Sequence, residues 1–150
     1  MKLIVAALLV APAIALADMV PLAYQLPGWA LESWNAFSAS KNVEISGRIN
    51  PFMQRGDFDG DGKVDVALLV EAKANKKLGI LILHRSGKPA LLGAGSQFGN
   101  GGDDFSWMDL WSVEDKVTLR GDGLIVAKEG SASALVYFEK GKYKWRQQGD

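Results

Sequence analysis

Residues 56–70 read GDFDGDGKVDVALLV, an acidic, glycine-rich loop that runs directly into an apolar segment. The apolar part, residues 64–70, and a second apolar run at residues 78–83 are almost uninterrupted. Continuous apolar runs of this length are typical of strands that are covered on both faces. The charged link between them, residues 71–77, predicts a solvated hairpin loop. This part of the chain therefore predicts two buried strands joined as a hairpin.

The segment before the acidic loop predicts one short helix followed by a strand. Apolar residues recur at helical spacing between Pro27 and Ser40, and Asn42 is a plausible stop signal. From residue 43 the apolar pattern changes to a period of two, so residues 43–49 predict a strand.

Two alternating segments near the C-terminus predict a second hairpin. Lys140-Gly141 lies between them and predicts a tight turn. Basic residues alternate with the aromatic residues of the last segment. One face of this strand is therefore expected to be solvent-exposed, and its lysines protect the edge from pairing with a further strand. The alternating positions that share a face in the two segments are Ala134, Val136 and Phe138, then Tyr143, Trp145 and Gln147. Together with the other strands, this hairpin predicts a mainly β fold, with α+β as the alternative, built as an antiparallel sheet domain with one short N-terminal helix.

The overall composition excludes several classes of function. Lys+Arg and Asp+Glu are equal at 17 each, so the chain lacks the basic excess that binding to nucleic acid or to an anionic membrane requires. The absence of cysteine excludes disulfides, Cys-ligated zinc and iron–sulfur clusters. His84 is the only histidine, which excludes multi-histidine metal sites. Hydrophobic residues make up 48% of the 150 positions, as expected for a chain that buries a core.

The N-terminal residues predict an export signal. Lys2 precedes an apolar stretch at residues 3–16, and residues 15–17 (ALA) form the small-x-small pattern that a signal peptidase cleaves. The apolar stretch is shorter than the ~20 residues needed to span a bilayer. Cleavage after Ala17 would leave residues 18–150, which we expect to be a single periplasmic or secreted domain without a membrane span.

The strongest motif is the acidic loop, residues 57–65 (DFDGDGKVD). Its carboxylates occupy positions 1, 3, 5 and 9 of a D-x-D-x-D-G-x-x-D pattern, and alternate side chains of a tightly turning chain converge on one point. Gly60 and Gly62 permit the backbone geometry of such a turn. The result is an all-oxygen cage that suits Ca²⁺. The predicted metal ligands are Asp57, Asp59, Asp61, Asp65 and, through its carbonyl oxygen at position 7, Lys63.

The acidic loop departs from an EF-hand. Position 12 is Leu68, where an EF-hand carries a bidentate glutamate, and a β-type run follows in place of a helix. An ordinary turn without metal is the alternative interpretation, because Asp and Gly are both common in turns. Four carboxylates within nine residues favour the metal site, since each close pair repels by roughly 1 kcal/mol even in water and a cation removes that repulsion.

The stretch GDFDGDGKVDVALLV, residues 56–70, resembles the calcium loop and following strand of FG-GAP and VCBS-type repeats. In those repeats the same acidic positions ligate Ca²⁺, so the resemblance implies calcium ligation by the acidic loop. Such repeats build β-propellers, which typically need 4–8 blades. This chain carries a single copy, and its Phe98-Gly99 pair lies downstream of the loop. The resemblance therefore implies one calcium loop in a small exported bacterial protein, and not a complete propeller.

Three weaker candidates remain in the sequence. Residues 93–104 (GAGSQFGNGGDD), here called the glycine loop, predict a plain loop in preference to a second metal site, and their glycine spacing misses the dinucleotide fingerprint. His84 predicts a structural residue at a strand end, because the sequence contains no G-x-S-x-G nucleophile elbow. The five tryptophans could line a sugar- or peptide-binding surface, although we expect most of them in the core.

These observations favour an exported, non-catalytic calcium-binding domain that acts as a binding or structural module of the cell envelope. Its partner would be a protein or glycan of unknown identity. Two alternatives stay open. One is a periplasmic inhibitor that presents an exposed loop, such as the glycine loop, to a hydrolase. The other is a hydrolase that uses the acidic loop with a divalent ion, for which the sequence shows no general base.

Overall fold

The computed structural model describes residues 20–118 and 121–149. The predicted export signal lies outside the described residues. A short 3-10 turn, Leu22–Gln25, precedes the helix α1, Gly28–Lys41. The strands that follow are β1 (Val43–Ile45), β2 (Met53–Gly56), β3 (Asp65–Ala72), β4 (Leu78–Leu83), β5 (Ala90–Gly93), β6 (Leu110–Glu114), β7 (Gly123–Ala127), β8 (Ser133–Glu139) and β9 (Lys142–Gly149).

The strands form two open antiparallel sheets. In the first sheet β3 and β4 are central, and β5 lies beside β4. Strands β1 and β2 share the other side of β3, with β2 along its N-terminal half and β1 along its C-terminal half. The second sheet is a meander in the order β6-β7-β8-β9. The mainly antiparallel β fold predicted from the sequence is confirmed, and the sheets do not close into a propeller.

Two apolar layers hold the molecule together, one on each face of the first sheet. The inner layer lies between the two sheets and joins residues such as Leu69 and Ile82 to Val126 and Val136. The outer layer packs α1, through Ala30 and Trp34, against the opposite face of the first sheet. The order of layers is therefore helix, five-stranded sheet, four-stranded sheet.

This layered arrangement explains why β3 and β4 have continuous apolar sequences. Successive side chains of a strand point to opposite faces, so a strand that lies between two apolar layers needs apolar residues at every position. Leu68 points into the helix layer and its neighbour Leu69 into the layer between the sheets, and neither is exposed. Burial of each such leucine stabilises the fold by about 2 kcal/mol before chain entropy is counted.

Several sequence predictions match the structure closely. The helix begins after Pro27 and ends at Asn42, which adopts the left-handed conformation (φ 53°) that commonly ends helices. The turn between β8 and β9 has positive φ at both Lys140 (52°) and Gly141 (81°), as a two-residue hairpin turn requires.

Other sequence predictions need correction. The strand predicted over residues 43–49 ends at Ile45. Ile49 is buried, but it lies in the loop that follows the strand. The strands β2, β5, β6 and β7 were not predicted, because they are short or lack clean alternation. The tryptophans do follow the expectation of a core position: Trp34 and Trp111 are buried, and the other three are partly exposed but pack against the core. Within residues 20–118 and 121–149, helices are too short or too polar to cross a membrane.

Candidate metal site

The acidic loop connects β2 to β3 at the end of the first sheet. Gly56 pairs with Asp65 in the antiparallel ladder, so the two ends of the loop are fixed side by side. Phe58, at the second position of the loop, is only 1% exposed and belongs to the layer between the sheets. The loop is therefore anchored at both ends and through one core side chain, while Asp61, Gly62 and Lys63 at its tip are exposed.

Hydrogen bonds within the loop curl its backbone around the carboxylates. The Gly62 amide donates to Asp57 Oδ2 at 2.9 Å, the Asp61 amide to Asp59 Oδ1 at 3.1 Å, and the Lys63 amide to Asp61 Oδ1 at 2.8 Å. Gly62 has φ +85°, in the left-handed region that favours glycine. Each of the first three aspartates thus keeps its second oxygen available for a ligand.

Asp57, Asp59 and Asp61 converge on one point. Each offers a carboxylate oxygen, and these three oxygens lie within 4.8 Å of one another. Asp57 Oδ1 is buried and has no hydrogen-bond partner among the described residues. The ion pairs of the described chain do not include these three carboxylates. A buried, unpaired carboxylate oxygen is costly, so the geometry fits a cation at this point.

Asp65 is used differently from the other three aspartates. It is fully buried, and both of its oxygens accept backbone hydrogen bonds: Oδ2 from the Phe58 amide at 3.0 Å and Oδ1 from the Arg85 amide at 2.9 Å. Burial raises the pKa of the Asp65 carboxyl, and the charge of Asp59 adds to that rise against the two amide bonds. Asp65 therefore ties the start of the loop to the end of β4, whether or not it also ligates a metal.

A second group of potential ligands combines Asp59 and Asp65 with His84, again within 4.8 Å. His84 follows β4 directly, and both of its ring nitrogens are engaged: Nδ1 is 2.9 Å from the Lys88 carbonyl oxygen and Nε2 is 2.7 Å from the Tyr143 hydroxyl. Burial, followed by the charges of the nearby aspartates, raises the pKa of Tyr143. The interactions of His84 match the structural role expected from its position at the strand end.

Lys63 presents its backbone and side chain to different neighbours. Its amide donates to Asp61 Oδ1, and its ammonium group donates to the Ser86 hydroxyl on the turn after β4. The cationic group is therefore directed to Ser86, and ligation through the Lys63 carbonyl oxygen stays a prediction.

Asp122, which the sequence did not point to, anchors the first residue of the loop. Its Oδ2 accepts from the Asp57 amide at 2.9 Å, its Oδ1 accepts from the Lys116 amide at 3.1 Å, and its own amide donates to the Asp57 carbonyl oxygen at 2.8 Å. Asp122 and Asp57 are 65 positions apart, and no local pattern links them. The second sheet thus helps to position the acidic loop.

The two carboxylates of the glycine loop, Asp103 and Asp104, bind other groups of the protein. Asp103 forms an ion pair with Lys77. Asp104 Oδ1 accepts from the Leu78 and Ser106 amides at 2.9 and 3.0 Å, and these bonds hold its pKa below the usual range although burial acts in the opposite direction. Among the described residues, the groups able to hold a metal do not include either aspartate. Asp103 and Asp104 are thus both engaged by neighbouring groups of the protein.

No family model matches the chain, and neither the curated proteins nor the solved structures contain a match to it. The resemblance of residues 56–70 to FG-GAP and VCBS-type repeats consequently stays an inference from those residues. The chemistry of the site can still be stated from its donors: three converging carboxylates offer hard oxygen ligands, which suit Ca²⁺, Mg²⁺ or Mn²⁺.

Proposed function

We propose that this protein is an exported, non-catalytic calcium-binding domain, with the ion held in the acidic loop as a structural cross-link. The observation that carries the proposal is the convergence of Asp57, Asp59 and Asp61 around the unpartnered oxygen of Asp57. Asp57, Asp59 and Asp61 would ligate the ion directly, with the Lys63 carbonyl and water completing the shell. Asp65 would ligate through an oxygen that also accepts an amide bond, or act by bracing the loop.

A structural role for the ion follows from the position of the loop. The loop joins β2 to β3 and contacts the second sheet through Asp122, so an ion held there would stiffen a junction between the two sheets. The neighbouring side chains also support a non-catalytic role. Both ring nitrogens of His84 and both oxygens of Asp65 are engaged by other groups of the protein, as expected of residues that brace the fold.

The predicted export signal supports calcium as the ion. Extracellular calcium modules bind with dissociation constants of about 0.1–1 mM, because calcium outside the cell is abundant. At ten times its dissociation constant, calcium would stabilise the folded state by about 1.4 kcal/mol, which raises the melting temperature by about 4 °C in a domain of this size. A cell-envelope location would keep the site filled.

A thermal melt of the purified protein, in excess Ca²⁺ and in EDTA, tests this proposal. We expect calcium to raise the melting temperature of the wild type, Mg²⁺ to raise it less, and Asp59→Ala to abolish the rise. Asp103→Ala, in the glycine loop, is the matched control and should keep the full calcium response. Equal melting of the wild type in both buffers would overturn the proposal.

A further inference from the structure

A small cleft lies where the glycine loop meets the edge strand β9. Its volume is about 210 Å³. It is lined by two tryptophans, Trp107 and Trp145, by the polar residues Asn100, Ser133 and Gln147, and by the small residues Gly101 and Ala132. The cleft shares no residue with the acidic loop, so a ligand site here would be independent of the proposed calcium site.

The two tryptophans form a corner. Their ring centroids are 6.1 Å apart and their planes are inclined by 76°, so one ring stands almost perpendicular to the other. Both indole N–H groups are already engaged: Trp107 donates to the Gly101 carbonyl at 3.0 Å, and Trp145 donates to Gln147 Oε1 at 3.2 Å. A ligand in this corner therefore meets aromatic carbon and finds no indole donor.

The glycines of the neighbouring loop make room for Trp145. A Cβ atom added at Gly99 would lie 2.4 Å from Trp145 Cβ, and one added at Gly101 would lie 2.8 Å from its six-membered ring. Phe98 and Phe105 pack against the same indole, each with a centroid distance of 6.1 Å. The position of Trp145 is thus set by these contacts, while the residue also lines the cleft and remains partly exposed.

The polar lining of the cleft is uncharged. Gln147 is oriented by its bond to Trp145 and by its own donation to the Gly149 carbonyl at 3.2 Å. The amide of Asn100 and the hydroxyl of Ser133 make no side-chain hydrogen bond within the part of the chain that the structure describes. Two uncommitted polar groups beside an aromatic corner are suited to a ligand that is apolar on one face, carries hydroxyl groups at its edge and bears no charge.

We propose that this cleft binds a single neutral pyranose ring. The C–H face of a pyranose would stack on one tryptophan and meet the other at its edge, while its equatorial hydroxyls would bond to Asn100 and Ser133. The cleft is smaller than the 300–1,000 Å³ typical of drug-sized ligands and matches one ring. The ring could be a free sugar or the end of a glycan, since both present the same chemistry.

Indole N–H resonances in ¹H–¹⁵N NMR spectra give a direct readout. The titrants are methyl glycosides of glucose, galactose, mannose and N-acetylglucosamine, in excess calcium and again in EDTA. We expect at least one to shift the signals of Trp107 and Trp145, with a dissociation constant on the order of 1–10 mM for a ligand of this size. The signals of Trp34 and Trp111, buried elsewhere in the core, should not move.

Two single variants separate a built site from nonspecific stacking. Asn100→Ala and Ser133→Ala each remove a polar group of the cleft while leaving both indoles in place, and we expect each to weaken binding about fivefold or more. Ser112→Ala, which alters an exposed serine of β6 in the same sheet, is the matched control and should bind like the wild type.

The source of the ring is resolved by comparing each methyl glycoside with the corresponding β-1,4-linked disaccharide. A glycan end is indicated where the disaccharide binds at least as tightly, and a free sugar where it binds more weakly. The proposal is overturned if no glycoside shifts Trp107 and Trp145 at roughly 50 mM, several times the expected dissociation constant. It is equally overturned if both cleft variants bind like the wild type. Either failure would leave the calcium proposal unaffected, because calcium binding is assigned to the acidic loop and is tested by thermal melting.

Discussion

The acidic loop and the glycine loop have similar compositions and different structures. Both are rich in glycine and aspartate, but the acidic loop joins two strands of the first sheet, β2 and β3, whereas the glycine loop leads from β5 of the first sheet toward β6 of the second. In the acidic loop, Asp57, Asp59 and Asp61 converge and find no cationic partner among the described residues. In the glycine loop, Asp103 pairs with Lys77 and Asp104 accepts backbone amides. One loop keeps its negative charge concentrated, and the other neutralises or disperses it.

The glycines of the two loops differ in the same way. A Cβ atom at Gly62 of the acidic loop would meet nothing within 4 Å, so that glycine is required only for its left-handed backbone. A Cβ atom at Gly99 of the glycine loop would collide with Trp145. Composition therefore predicts turns in both segments. The neighbouring side chains decide whether a glycine is needed for its backbone conformation alone or also because there is no room for a Cβ atom.

The strongest test of the comparison is the removal of the carboxylate that braces the acidic loop. Asp65→Ala should lower the free energy of unfolding by about 3 kcal/mol even in EDTA, because the buried amide of Phe58 and the partly buried amide of Arg85 both lose their acceptor. Urea unfolding of wild type and variant in EDTA measures this loss. A loss below about 1 kcal/mol would show that Asp65 does not brace the fold.

The next test compares one glycine from each loop. Gly62 and Gly99 both have positive φ, at 85° and 53°, but only Gly99 lies against Trp145. Gly99→Ala should cost about 3 kcal/mol, from backbone strain and from overpacking, whereas Gly62→Ala should cost about 1 kcal/mol from strain alone. Equal losses in urea unfolding would remove the packing explanation for Gly99.

Asp57→Asn should have a smaller effect on stability, and the sign of that effect should differ between EDTA and excess calcium. Asp57→Asn relieves repulsion among the three carboxylates and leaves a neutral group at the unpartnered position, so it should stabilise the protein by about 0.5–1 kcal/mol in EDTA. In excess calcium the same variant should be less stable than the wild type, because it has lost a charged ligand. Paired melts in the two buffers measure both signs, and the same sign in both would contradict a metal site.

The smallest expected effect belongs to the corresponding carboxylate of the glycine loop. Asp103→Asn breaks the surface ion pair with Lys77, whose side chain is 36% exposed, and should cost about 0.5 kcal/mol or less. Calcium should not alter this cost, whereas added salt should reduce it. A calcium-dependent cost would mean that the glycine loop also takes part in metal binding.

The sequence predicted much of the frame of this molecule. Continuous apolar runs located β3 and β4, helical spacing with Asn42 located α1, and Lys140-Gly141 located the last turn. These features depend on neighbours within a few residues, which a pattern in the chain records directly. The short strands β2, β5, β6 and β7 escaped prediction because they are stabilised by pairing with distant strands more than by their own pattern.

The candidate site also has features that local sequence predicted and features that depend on distant residues. The spacing of Asp57, Asp59 and Asp61 was sufficient to predict their convergence, because a tight turn brings alternate residues together. The roles of Asp122 and Tyr143 were not predictable, since Asp122 accepts from the Asp57 amide across 65 positions and Tyr143 contacts His84 across 59 positions. The bracing role of Asp65 depends on the amide of Arg85, which the pairing of β3 with β4 places beside it.

By itself, the sequence determined the strands with a clear apolar pattern (β3, β4, β8 and β9), the helix and the acidic turn, because each depends on local periodicity or on the conformational freedom of glycine. Only the tertiary structure decided which aspartates keep an oxygen without a partner and which form hydrogen bonds or ion pairs with distant amides and lysines. It also decided that Trp145 lies over the glycine loop and forms a corner with Trp107. Those outcomes depend on how the two sheets and their loops meet, and packing across long sequence separations leaves no local pattern in the chain.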